Sequence, residues 1–269
     1  MRAIVRKVSS SFDQALAKYF GSGPTNLEEA FEQHEAYVQK LSDFGVSVKV
    51  IPSNSDYPDC CFVEDHAIVA GDSALMTNAC HDSRWGERNE VESALSEDLN
   101  LEYMSDGARM DGGDVLKFGD TFLVGHSKRT NRRGIDDLKK FLSKRDFGLH
   151  VIEVPAESLH LISICTSPVP GKLLAPEGWF KESDFPLESE IIWVPASEAY
   201  AANVLPIGNN VMMAKGYQST LKILKNLNLE VHEMEMSQFR EADGSFCLLY
   251  TSDAADDMQC VDLGGRRII

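Results

Sequence analysis

Apolar residues recur at helical spacing in four segments of the chain. The first follows Thr25-Asn26-Leu27-Glu28, which has the form of a capping box with Thr25 as the N-cap, and it precedes Gly45. Its apolar positions are Leu27, Phe31, Tyr37, Val38 and Leu41. The same spacing predicts helices over residues 87–99, 134–145 and 218–227.

Three pairs of short apolar runs flank a glycine that is followed by Asp or Asn. These residues accept the positive φ of tight hairpin turns, so each pair predicts a β-hairpin. The predicted hairpins cover residues 62–77, 115–124 and 204–214, and each precedes a predicted helix. Single strands are predicted over residues 46–51, 150–154 and 230–234. Together, these elements form a repeated strand-strand-helix-strand module, which indicates a repeated α/β architecture.

Composition and charge narrow the class of protein. The 269 residues, 43% of them apolar, can bury a large core, and no run of about 18 apolar residues predicts a membrane helix. The short, charged N-terminus predicts a first strand rather than a secretory signal. The net charge of −16 argues against nucleic acid as a partner. The six cysteines lack zinc-knuckle spacing, so we expect reduced thiols in a cytoplasmic enzyme.

Three acidic residues surround the apolar run at residues 60–63. If this segment is a strand, Asp59 and Asp65 share a face and line one pocket, whereas Glu64 points to the other side. The alternative is that the acids lie at a solvated strand end.

Further candidates are polar groups in apolar or glycine-rich surroundings. Asp111-Gly112-Gly113-Asp114 permits close backbone approach, or is an ordinary turn. His160 lies in an apolar run that predicts a strand. A histidine in such a strand is either a catalytic residue or a core residue whose ring nitrogens are hydrogen-bonded. The basic segment 127–133 is either a clamp for a carboxylate or a solvated loop.

Six motifs in order resemble those of the dimethylarginine dimethylaminohydrolases, over about residues 2–246. They are Phe62-Val63-Glu64-Asp65, Asp111-Gly112-Gly113-Asp114-Val115, Ser127-Lys128-Arg129-Thr130-Asn131 with Gly134, Leu159-His160-Leu161, Ala201-Ala202-Asn203-Val204 and Asp243-Gly244. The resemblance implies the pentein fold, a five-bladed pseudo-symmetric α/β propeller, as a single domain over residues 1–246.

The resemblance also implies roles for single residues. Asp59 and Asp65 would hold the substrate guanidinium, with Glu64 in the same acidic wall. Arg84 and Arg129 would grip the carboxylate of the amino acid, and Leu16 and Ala242 would form lid and rim contacts. His160 would be the general acid and base, oriented by Asp111.

The implied reaction uses a cysteine nucleophile. The guanidinium charge favours the thiolate, which attacks the central carbon, and the histidine protonates the leaving amine and then activates water. The products would be citrulline and a methylated amine. The substrate is a small molecule, and neither a metal nor an organic cofactor is implied.

The C-terminus departs from the family pattern, which has two residues and then Thr-Cys after Asp-Gly. Here Cys247 follows Phe246 directly, one position early, and is the nearest candidate nucleophile. In a strand, this slip turns Cys247 away from His160 and brings Leu248 into its place. Residues 247–269 resemble the translation of a sequencing adapter, so we expect a non-native tail that lies loose. The alternative is a divergent terminus with a one-residue deletion.

Two other functions stay open. One is a related arginine deiminase or amidinotransferase, against which the compact length and the Ser-Lys-Arg-Thr-Asn motif argue. The other is a guanidine-binding protein that has lost catalysis, because the acidic wall and Arg129 would remain without a nucleophile.

Overall fold

Five three-stranded sheets make up the fold of residues 1–252, the part of the chain that the computed structural model describes. The strands are β1 Arg2–Arg6, β2 Ser47–Ile51, β3 Ala67–Ala70, β4 Ser73–Met76, β5 Asn100–Tyr103, β6 Val115–Phe118, β7 Thr121–His126, β8 Gly148–Glu153, β9 Thr166–Val169, β10 Lys172–Pro176, β11 Glu190–Val194, β12 Leu205–Ile207, β13 Asn210–Ala214, β14 Glu230–Met234 and β15 Tyr250–Ser252. The helices are α1 Leu27–Asp43, α2 Arg88–Leu95, α3 Arg132–Ser143, α4 Gln218–Asn226 and α5 Ser237–Glu241.

Every sheet has the same topology. A central strand pairs antiparallel with one neighbour and parallel with the other, as β7 does with β6 and β8. In the first sheet the antiparallel neighbour of β1 is β15, from the other end of the described chain. The repetition confirms the predicted pseudo-symmetric α/β propeller.

The fourth module was not predicted from the sequence. Its strands β9, β10 and β11 contain or adjoin prolines, which interrupt the apolar runs, and a single 3-10 turn, Glu182–Asp184, replaces the helix between β10 and β11. No helix in the described part of the chain is long and apolar enough to cross a membrane.

The N-terminus of α1 differs in detail from the prediction. Asn26, not Thr25, is the N-cap, and its side chain accepts hydrogen bonds from the backbone N–H groups of Glu28 and Glu29 at 3.1 and 3.3 Å. The Thr25 hydroxyl instead donates to the carbonyl oxygen of Phe12.

The packed chain continues past residue 246, where the domain was expected to end. Leu248, Leu249 and Tyr250 are buried in the largest hydrophobic cluster, and β15 completes the first sheet. Closure of the propeller therefore uses residues on the far side of the expected boundary. Of the tail that we expected to lie loose, residues 247–269, the part from 253 to 269 lies outside the described residues.

Candidate active site

One cavity of about 360 Å³ brings together most of the residues that the sequence singled out. The candidates that line it are Leu16, Asp59, Asp65, Arg84, Arg129, His160 and Ala242. Its volume is in the usual range for a site that takes a small molecule. Three candidates are not in its lining: Glu64, Asp111 and Cys247.

Local backbone structure, rather than strand parity, brings Asp59 and Asp65 to the cavity. The segment that we predicted as a strand from residue 62 forms turns and a 3-10 helix, Val63–His66, and becomes strand only at Ala67. Asp59 accepts a hydrogen bond from the backbone N–H of Leu16 at 3.1 Å, and Asp65 accepts one from Gly113 at 2.9 Å. Both carboxylates are nearly fully buried.

Arg84 lies in a buried ion-pair network. Its Nη1 atom donates to Asp65 at 2.6 Å, and its Nε and Nη2 atoms donate to Glu87 at 3.0 and 2.8 Å. His66 binds the same Glu87 oxygen. The expected role of Arg84 as a grip for the substrate carboxylate therefore does not fit, because protein acceptors already take its donors. Arg84 instead fixes the Asp65 carboxylate.

His160 is surrounded by three carboxylates and is 1% exposed. Its Nε2 atom lies 3.7 Å from Asp65 and 4.0 Å from Asp111, and its Nδ1 atom lies 3.7 Å from Asp114. The residue lies in a loop between β8 and β9, not in the strand that its apolar neighbours suggested. Asp114 holds this loop by accepting from the Leu161 N–H.

Asp111 does not orient His160 by a hydrogen bond, because 4.0 Å is too long for one. Asp111 binds the backbone N–H of Cys80 and the guanidinium of Arg129, at 3.0 and 3.3 Å. The carboxylate that faces the other ring nitrogen is Asp114, which Ser127 and Thr130 hold at 2.6 and 2.7 Å. Asp114 lies 3.7 Å from Nδ1, which is nearer than Asp111 is to Nε2 but is also longer than a hydrogen bond, so Asp114 acts on the ring through its charge.

The site shifts the pKa values of its groups in different directions. Desolvation lowers the pKa of His160, but Asp65, Asp114 and Asp111 outweigh it and raise that pKa above its ordinary value. Burial opposes ionisation of Asp65, yet His160 and Arg84 hold its pKa below the usual range. Burial raises the pKa of Asp59 to about 6. Burial and the nearby Asp65 raise the pKa of Asp111. A cation bound beside Asp59 would favour the charged form of that carboxyl group.

Glu64 does not belong to this acidic wall. It lines a second, small cavity of about 30 Å³, and burial raises the pKa of its carboxyl group well above the usual value. The 3-10 turn sends successive side chains in different directions, so Glu64 and Asp65 point into different cavities.

Cys247 also lines the second cavity, together with Glu64. Its thiol lies 3.4 Å from the carbonyl oxygen of Val204. Leu248, the next residue, lines the cavity that contains His160. A 3-10 turn, Phe246–Leu248, replaces the expected strand, but consecutive side chains still point to opposite sides. The candidate nucleophile is therefore outside the site, and an aliphatic side chain stands inside it.

Side chains of the site lie so close to Gly113 that a side chain on this residue would collide with them. A Cβ atom on Gly113 would lie 2.7 Å from Cδ2 of Leu248, 2.8 Å from Oδ1 of Asp65 and 2.9 Å from Cδ2 of His160. Leu248 is therefore in the immediate surroundings of the histidine and the aspartate. Only glycine leaves room for this approach.

Basic side chains also line the cavity. Arg129, Lys128 and Lys18 contribute to it, and Arg129 makes one contact to Asp111 through Nη1. A cavity lined by both carboxylates and cations suits a zwitterionic ligand with a cationic tail. Lys18 and Cys80 also line the cavity, but no sequence pattern predicted them as site residues. Lys128 was predicted only as a member of the basic segment 127–133.

Asp65, Asp111 and His160 also offer ligand atoms within 4.8 Å of one another, a spacing that could hold a metal ion. Arg84 and Arg129 already pair with the two carboxylates and compete with a metal for them. The carboxylates that line the cavity and can receive an organic cation are Asp59 and Asp65.

Comparison with known proteins identifies the family. The family model described as "N,N dimethylarginine dimethylhydrolase, eukaryotic" matches residues 5–164. The N(G),N(G)-dimethylarginine dimethylaminohydrolase of Streptomyces coelicolor is 31% identical over 246 residues, which cover 90% of this chain and 93% of the relative. The enzyme of the same name from Pseudomonas aeruginosa is 29% identical over 224 residues, covering 82% of this chain and 87% of the relative.

The solved structures agree. A cysteine-to-serine mutant of the Pseudomonas aeruginosa enzyme, complexed with citrulline, matches with a TM-score of 0.86 at 27% identity and covers 93% of this chain and 97% of its own. The N-terminal domain of a cyanobacterial arginine dihydrolase matches with a TM-score of 0.82 at 19% identity, covering 93% of this chain and 97% of its own, which shows the fold alone.

Five repeated modules around a cavity with a histidine and carboxylates define the class as a pentein. Within that class, the chain belongs to the dimethylarginine dimethylaminohydrolase family.

Proposed function

We propose that the cavity binds a methylated arginine and that the completed site hydrolyses it to citrulline and a methylamine. The observation that carries the proposal is the single cavity that His160, Asp59 and Asp65 line together with Arg129, with His160 3.7 Å from Asp65. The citrulline complex of the Pseudomonas aeruginosa enzyme supports the nature of the product.

Each group has a defined task in this reaction. Asp59 and Asp65 hold the guanidinium by charge-assisted hydrogen bonds, and Arg129 binds the carboxylate of the amino acid. The thiol gives its proton to His160, and the resulting thiolate attacks the central carbon and forms the C–S bond. His160 protonates the leaving methylamine as the C–N bond breaks, then takes a proton from water as that water displaces sulfur. Citrulline leaves, and the thiol regains its proton from the histidine.

The nucleophile belongs at position 248. Leu248 is the side chain of this segment that lines the cavity, and the family pattern of Thr-Cys after two residues falls on positions 247 and 248. We therefore propose that the chain with Cys247 and Leu248 binds a guanidine without hydrolysing it. The non-native origin that we infer for residues 247–269 accounts for the missing thiol.

The test uses the double variant Cys247→Thr/Leu248→Cys, with Cys247→Thr alone as the matched control. We expect the double variant to form citrulline from dimethylarginine faster than from arginine, and the control to form none. Preference for arginine would favour a deiminase. If the double variant folds and binds dimethylarginine but is inactive, guanidine binding is the only function that remains supported.

We also propose a cytoplasmic location and no nucleic-acid partner. In the part of the chain that is described, Cys60, Cys61, Cys80, Cys165 and Cys247 are free thiols, as is usual in a reducing compartment. The net charge of −16 opposes binding to phosphate backbones.

A further inference from the structure

A loop at residues 16–21 covers part of the cavity. Leu16, Ala17, Lys18 and Tyr19 all line it, and the loop precedes α1. Its contacts with the rest of the protein therefore decide how the cavity is closed on this side.

One carboxylate holds most of this loop. Asp243 accepts hydrogen bonds from four consecutive backbone N–H groups, those of Lys18, Tyr19, Phe20 and Gly21. The bond from Phe20 is 2.7 Å long and the bond from Gly21 is 2.9 Å long. Asp243 is 3% exposed, so water competes little for these charge-assisted bonds.

Asp243 is also fixed from its own side of the cavity. Its φ is +56°, in the left-handed region, and its N–H donates to the carbonyl oxygen of Arg240. The next residue, Gly244, accepts a hydrogen bond from the Tyr200 hydroxyl, and a Cβ there would lie 2.2 Å from the Phe62 ring. Asp243 thus joins the covering loop to the segment that leads to Leu248.

We propose that Asp243 is a positioning residue that holds the loop 16–21 closed over the cavity, and that it governs how tightly the ligand is held rather than the chemical step. The proposal deepens the proposed function and rests on it only for the identity of the ligand. The anchor itself follows from four hydrogen bonds that converge on one buried carboxylate.

Amide hydrogen exchange on the chain as given tests the anchor without any need for activity. Asp243→Ala should raise exchange at residues 18–21 by about tenfold or more, while exchange in β4, β7 and β10 stays unchanged. Asp243→Asn, which keeps an acceptor oxygen, should give a smaller rise. Unchanged exchange at residues 18–21, or an equal rise throughout the protein, would overturn the proposal.

Glu241→Gln is the matched control. Glu241 accepts from the backbone and hydroxyl of Ser22, the residue that follows the loop, and does not line the cavity. It should leave exchange at residues 18–20 unchanged. A rise equal to that of Asp243→Ala would show that the loop has no single anchor.

Kinetics in the Cys247→Thr/Leu248→Cys background separates positioning from chemistry. Asp243→Asn should raise KM for dimethylarginine about tenfold and change kcat less than threefold. A fall in kcat with KM unchanged would overturn the positioning role. If this background has no activity before Asp243 is changed, the proposed nucleophile position fails, and the exchange measurement still decides the anchor.

Discussion

The Sγ atom of Cys247 lies 3.4 Å from the carbonyl oxygen of Val204, to which its thiol donates a hydrogen bond. The thiol therefore points into the small cavity beside Glu64, away from the cavity that His160 lines. Burial, with the nearby Glu64, raises the pKa of this thiol well above its ordinary value. A cysteine in this state is a poor nucleophile.

Thiol reactivity should follow this difference in surroundings. Cys80 is partly exposed and lines the larger cavity, whereas Cys247 faces a cavity of about 30 Å³. We expect iodoacetamide to modify Cys80 at least about tenfold faster than Cys247, as measured by peptide mass spectrometry over time. Faster labelling of Cys247, with protection by dimethylarginine, would contradict the assigned orientation.

Ligand affinity should depend on the ionisation of Asp59. Burial raises its pKa from 3.8 to about 6, so the carboxyl group loses its charge as the pH falls through 6. A cationic ligand needs the charged form, and its affinity should then fall by about tenfold per pH unit below 6. Because the raised pKa favours the neutral form in the folded state, the stabilisation from Asp59 is largest at low pH and is lost as the pH rises through 6.

The affinity measurement is best made by calorimetry with dimethylarginine on Leu248→Ala, which opens the cavity and adds no thiol. The control is Asp59→Asn in the same background, which should bind weakly with no inflection near the pKa of about 6. An inflection that persists in this control would assign the pH dependence to another group.

His160 should be essential for turnover once a nucleophile is present. In the Cys247→Thr/Leu248→Cys background, we expect His160→Ala to lower kcat by about two to four orders of magnitude, the usual effect of losing a general acid. Circular dichroism should show an intact fold, since the surrounding loop is held by Asp114 and the backbone of Gly113. Near-normal turnover would refute the assignment.

Glu87 should matter for stability although it does not line the cavity. Its removal takes away the carboxylate oxygen that accepts from Nε and Nη2 of the buried Arg84, and His66 also loses a contact. Glu87→Ala should lower the free energy of unfolding by about 3–5 kcal/mol in urea titrations. Glu97→Ala, which removes an exposed partner of Lys49, should change it by less than about 1 kcal/mol. Equal effects would contradict the network.

The sequence predicted the modules better than it predicted the site. Turn chemistry and apolar runs predicted β14 at its observed bounds and the hairpin of β6 and β7 to within two residues of its end. Strand parity failed around Asp59, Glu64 and Asp65, because that segment turns rather than extends. The pairing of Arg84 with Asp65 and the four bonds to Asp243 depend on tertiary contacts that no local pattern encodes.

The central claim is that position 248, not position 247, faces the histidine. The most direct test is citrulline formation from dimethylarginine by the chain as given, by Cys247→Thr, and by Cys247→Thr/Leu248→Cys. We expect product only from the double variant. Citrulline formation by the unmodified chain that disappears in Cys247→Thr would show that Cys247 reaches the site, and would contradict the placement of the nucleophile at position 248.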